Sequence, residues 1–136
     1  MTPDGLITLA SPFGPRETLD RLLDAVVRHG MTVLAHVDHA AAAKAAGLEL
    51  APAEVVIFGN AKAGTPLMQL APTLAIDLPL RALVWQDEAG AVWLSYNAPA
   101  WLAARHGVGP ADSPVIQAMT DGLAAVAHEV VDRGPA

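Results

Sequence analysis

The sequence predicts a two-layer α+β domain in which two long amphipathic helices serve one antiparallel-rich sheet, in the order β-α-β(4)-α with short helical inserts. Three observations lead there. A chain of 136 residues makes one domain, 1–136, and buries roughly two-thirds of its extended surface on folding, so neither disulfide nor structural metal is required. Apolar residues recur at helical spacing in two long stretches, one near each end. Between them lie short β-prone runs punctuated by glycine, proline and asparagine, with no internal repeat and no low-complexity linker.

"GLITLA" (5–10) is a short strand, and Gly14 before Pro15 opens a helix whose stripe is Leu19, Leu22, Leu23, Val26 and Val27, ended by Gly30. "MTVLAHVD" (31–38) alternates Met31, Val33, Ala35 and Val37 on one face with Thr32, Leu34, His36 and Asp38 on the other, as a strand does. "HAAAAKAAGLEL" is a short helix closed by Gly47, where a left-handed cap favours glycine. "AEVVIFG" (53–59) is the third strand. Thr65 and Pro66 then read as N-cap and first residue of a short helix through Leu70.

After Pro72 the pattern is ambiguous until "LRALVWQ" (80–86), which joins "AVWLSY" (91–96) through the turn "DEAG" as a hairpin. Asn97 caps the short helix "APAWLAARH", stopped by Gly107. Ser113 and Pro114 start the last helix, with Val115, Ile116, Met119, Leu123, Val126 and Val130 as its buried stripe. If Val84 and Leu94 face the helices, Leu83, Trp85 and Trp93 face away. The inserted short helices, a homodimer interface or a ligand groove would each cover them.

Composition narrows the functions. Eight Lys plus Arg against fourteen Asp plus Glu give a net charge of −6, and no basic footprint suits a nucleic acid backbone. The absence of cysteine removes disulfides, thiolate zinc sites and cysteine nucleophiles. The start carries no basic, long-apolar leader and no run approaches a membrane span, so the chain reads as cytoplasmic with no membrane partner.

Lys44 and Lys62 are the only lysines, and Lys62 lies in "FGNAKAGTP". A strand running through Gly59, Asn60, Lys62 and Gly64 to a helix start at Thr65 and Pro66 would offer backbone N–H groups, a positive dipole end and one ammonium to an anion. It is not a Walker loop, because the lysine precedes the second glycine. The alternative is a plain turn in which Asn60 braces the loop and Lys62 pairs with Asp77.

Asp77 sits between Ile76 and Leu78, and a carboxylate in an apolar stretch requires a partner, with Lys62, Arg81 or Tyr96 as candidates. "HVDH" brings His36, Asp38 and His39 together at a strand end as candidate metal ligands, although Asp38 equally suits the N-cap of the next helix. His29, His106 and His128 look solvated at helix ends. Ser11, Ser95 and Ser113 lie in no G-x-S-x-G nucleophile elbow, and no reaction or cofactor is legible.

The ordered marks Phe58-Gly59-Asn60, Lys62, Gly64-Thr65, Leu67-Met68, Asp77-Leu78-Pro79-Leu80 and Tyr96 resemble the domain-of-unknown-function family 302 over most of the chain. The resemblance implies a fold like that of the TATA-binding protein, without its DNA binding, and a homodimer. This chain departs from the family pattern at Ala61, where proline is usual, which restores an N–H donor. Three readings of function follow. One is a homodimeric module binding or sensing a small anionic ligand at Gly59–Pro66, with Asn60, Lys62, Gly64, Thr65, Asp77 and Tyr96 around it. Another is a structural or protein-interaction module whose outer sheet face makes the dimer. The last is an enzyme built on Asp77 and Lys62 or on His36 and His39.

Overall fold

The computed structural model describes residues 2–135. Its elements are β1 (Leu6–Ser11), α1 (Pro15–Arg28), β2 (Thr32–Asp38), α2 (His39–Ala45), β3 (Ala53–Gly59), α3 (Ala61–Leu70), a 3-10 turn (Pro72–Ile76), β4 (Leu80–Gln86), β5 (Val92–Asn97), α4 (Pro99–Arg105) and α5 (Pro114–Val131). The strands form one sheet in the order β1-β5-β4-β3-β2, antiparallel throughout. The expected β-α-β(4)-α order holds, with α2, α3 and α4 as the inserts.

Alternation along each strand decides which side chains meet the helices. Val56, Phe58, Leu80, Ala82, Val84, Val92, Leu94 and Tyr96 face α1 and α5 and form the main core with Leu19, Leu22, Ala25, Val26, Leu123, Val126, Ala127 and Val130. The α1 stripe differs from expectation at one point: Ala25 is fully buried, whereas Val27 is 61% exposed. Both lie near the edge of the apolar stripe, and the smaller residue lets the helix approach the sheet closely.

A second core joins Leu67 of α3, Leu74 of the 3-10 turn, Ala103 of α4, Val108 and Ile116 of α5. The inserts α3 and α4 therefore pack on α5 and lengthen the helical layer. Gly5, at φ +75°, lets β1 pass against α4, since a Cβ there would lie 2.3 Å from the Trp101 ring.

Four local readings are corrected or completed. Strict alternation fails in β2, because a bulge between Val33 and Ala35 sets Val33 opposite Phe58 but Ala35 opposite Ile57, on the other face. The extra residue, Leu34, is left exposed. Asn97 ends β5 and caps nothing; Ala98 precedes α4 without a side-chain cap. The ambiguous stretch after Pro72 is a 3-10 turn.

The fourth is the start of α3, at Ala61 rather than Thr65. Asn60, in extended backbone, accepts from the Lys62 N–H through its side chain at 2.9 Å, while its carbonyl accepts from Ala63 and Gly64. That cap overrides the weaker signal of Thr65 and Pro66, which lie inside the helix. Ala61 is then the first helical residue, the position where proline fits a helix best, and its N–H makes no hydrogen bond within the described residues. We expect Ala61→Pro to stabilise the fold by about 0.5–1 kcal/mol, read as a raised thermal midpoint, because it restricts the unfolded chain and removes no internal hydrogen bond.

Candidate functional site

The residues singled out from the sequence fall into separate environments. Asn60 is the α3 cap, and Gly64 and Thr65 are helical. Among the described residues, the Ala61 N–H is the one first-turn donor without an internal acceptor, so the exposed row of amides expected at Gly59–Pro66 is largely consumed by Asn60. Lys62 is exposed and forms no ion pair among the described residues. It does not reach Asp77. Tyr96 stands on the helix-facing side of β5 with 6% exposure, a core residue whose phenol burial pushes up from its ordinary range.

His36, Asp38 and His39 also part company. His36 Nδ1 bonds Glu54 Oε2 across the β2–β3 ladder at 2.6 Å, so Glu54 rather than Asp38 orients this imidazole. Asp38 accepts from the Ala41 N–H as the α2 cap, and His39 opens that helix. Among the described residues no three His, Asp or Glu side chains converge as metal ligands.

Asp77 does have the partners its apolar setting demands, though not Lys62, Arg81 or Tyr96. Arg105 Nη1 donates to both carboxylate oxygens, at 3.0 and 2.9 Å, and His106 Nε2 meets Oδ2 at 2.6 Å. The other imidazole nitrogen, Nδ1, lies 2.8 Å from Thr73 Oγ1. His106 is thus no solvated helix-end residue: its side chain is only 9% exposed. The cluster ties the 3-10 turn to the C-terminal end of α4. Asp77 signalled from the sequence that a partner exists, but Thr73, Arg105 and His106 meet only through folding.

The outward sheet face is the other chemical feature. Val55 and Ile57 of β3, Leu83 and Trp85 of β4 and Trp93 of β5 point away from α1 and α5, and all are half-buried rather than covered. The two indoles stack, with centroids 6.2 Å apart and planes at 27°. Their polar ends are bonded internally: Trp85 Nε1 donates to Ser95 Oγ, itself bonded to Thr8, and Trp93 Nε1 donates to Asp87 Oδ2. Asp87 is held below the ordinary carboxylate range chiefly by that indole bond and by backbone N–H groups of the turn. The face is therefore apolar and polar-satisfied, with Arg81 the one charge on the outward positions of β3 to β5.

Two hollows flank α2. A trough of about 710 Å³ on the outward side is lined by His39, Ala42, Leu50, Val55, Arg81 and Leu83. A groove of about 840 Å³ on the helix side runs past Arg16, Asp38, Lys44, Glu49 and Glu54. Neither borders Gly59–Pro66.

His106 donation, then the charge and hydrogen bonds of Arg105, hold Asp77 below the ordinary carboxylate range against the opposing effect of burial. A depressed folded-state pKa contributes stability that is present above the unfolded value, near 4, and is lost as pH falls through the folded value. Asp77→Asn is expected to cost about 2 kcal/mol at pH 7, and chemical denaturation should show the gap to the parent closing as pH drops below about 4.

Comparison with known proteins agrees with this architecture. The family description "Domain of unknown function DUF302" matches residues 7–126. A crystal structure of an uncharacterised conserved DUF302 protein from Bacillus stearothermophilus superposes with a TM-score of 0.83, covering 94% of this chain and 99% of that one at 19% identity, a likeness of fold. Proteins named fluoride-specific ion channel FluC 1 from Brucella suis biovar 1 and FluC 2 from Brucella melitensis biotype 1 are each 48% identical over 122 residues. That match covers 90% of this chain but only 48% and 45% of theirs, so the chain spans less than half the length of these relatives. No helix of the described residues is long and apolar enough to cross a membrane. A match running from β1 into α5, carried on a shared fold, makes this chain a member of the DUF302 family.

Proposed function

We propose that the chain is a homodimerising interaction domain that uses its outward sheet face as the interface. The observation that carries the reading is the half-buried apolar face of Val55, Ile57, Leu83, Trp85 and Trp93, which no long helix covers, with its indole N–H groups already bonded. Five strands of six or seven residues present roughly 20 Å by 20 Å, about 400 Å². Two such faces plus their rims remove on the order of 1,000 Å² from water, the lower bound for a specific interface. A two-fold arrangement is self-complementary, and two sheets stack about 10 Å apart face to face.

The Brucella relatives give this pairing a context. They are named fluoride-specific ion channels, and more than half of each lies outside the match. In this reading the domain lies in the cytoplasm, outside the bilayer, and joins chains that carry or accompany an ion channel.

Light scattering should find a dimer at tens of micromolar. Leu83→Lys and Ile57→Lys should each yield a folded monomer, while Val27→Lys on the exposed side of α1 leaves the dimer intact. A parent protein that is monomeric at that concentration overturns the proposal.

A second reading, an anion-sensing module at Gly59–Pro66, is favoured by the exposed Lys62, which forms no ion pair among the described residues, next in sequence to an Ala61 N–H that makes no hydrogen bond among them. The names of the relatives make fluoride the first anion to try. Thermal stability followed in sodium fluoride against equal sodium chloride should then rise for the parent and stay flat for Lys62→Ala; equal responses in the two proteins exclude the site.

A further inference from the structure

The geometry points to a nucleophilic relay, Thr73–His106–Asp77, that can cleave small activated esters. Asp77 accepts from His106 Nε2 at 2.6 Å, which puts the imidazole proton on that nitrogen and leaves the Nδ1 lone pair toward the Thr73 hydroxyl, 2.8 Å away. This is the nucleophile, base and orienting carboxylate of acyl-transfer sites, recognised by geometry and roles and not by sequence spacing. Asp77 and His106 alone would tie the 3-10 turn to α4. The third member adds something else, because Thr73 is exposed to solvent while the base behind it is almost enclosed.

Arg105 Nη1 donates to both oxygens of the same carboxylate, which fixes Asp77 behind the imidazole. Residues i and i+3 of a 3-10 turn eclipse one another, so Ile76, 69% exposed, lies along the same side as Thr73 and offers an apolar rest for a short acyl group.

The step balances without an external reagent. Thr73 Oγ1 bonds to the ester carbonyl carbon as its proton passes to His106 Nδ1, and collapse of the tetrahedral adduct breaks the carbon–oxygen bond to the leaving group, which either takes that proton or departs as a phenolate while Nδ1 releases the proton to solvent. Water, deprotonated at the same nitrogen, then cleaves the acyl-threonine to a carboxylic acid and restores the hydroxyl.

p-Nitrophenyl acetate is the probe. The parent protein should release nitrophenolate with an initial burst and show an acetyl group on the peptide containing Thr73 by mass spectrometry. Thr73→Ser should keep both signals. Thr73→Val, a surface change expected to fold normally, should lose the adduct, and His106→Gln should slow the burst roughly 100-fold, the scale of one general base. No burst in the parent, an adduct only at other residues, or a burst unchanged in Thr73→Val overturns the relay. Circular dichroism on each variant separates loss of chemistry from loss of fold.

Discussion

A five-stranded sheet built from apolar strands has two faces to cover, and this chain supplies long helices for one. Phe58, Val56, Val84 and Leu94 on that side are closed off by α1 and α5 into a single core. Their neighbours in sequence necessarily point the other way, because a strand alternates. Short inserts could have folded across the second face, but α3 and α4 instead found Ile116 and Met119 of α5 and built a second core at the end of the helical layer. Burial gained there left the outward face with only α2 beside it. The asymmetry of the molecule, and the reading of it as a dimerising module, both descend from this choice.

The short elements are held by polar contacts more than by apolar area. Asn60 turns the chain from β3 into α3 by satisfying three backbone N–H groups with one residue. At the other end of the insert, Asp77 gathers Arg105 and His106 from the end of α4, and His106 passes the connection on to Thr73. A carboxylate with so many partners is held ionised against burial, which pushes the other way. The same arrangement that anchors a turn also resembles the geometry of a nucleophilic site, since both require a base held in one tautomer.

Membership of DUF302 accounts for the architecture, while more than half of each Brucella relative lies beyond the match. Ala61, the position at which the family resemblance implies proline, is the first residue of α3, and its N–H makes no hydrogen bond among the described residues.

The sequence by itself determined the element order, both long helices, the β4–β5 hairpin and the caps at Asp38 and Ser113, because these follow from periodicity and from side chains acting on their own neighbours. It also marked Asp77 as a residue in need of a partner. Only the tertiary structure decided who the partner was, since Arg105 and His106 lie 28 and 29 residues away. The β2 bulge, the burial of Ala25 in place of Val27, and the docking of α3 and α4 on α5 were likewise settled by packing, where competing surfaces of similar hydrophobicity are told apart by shape and not by local pattern.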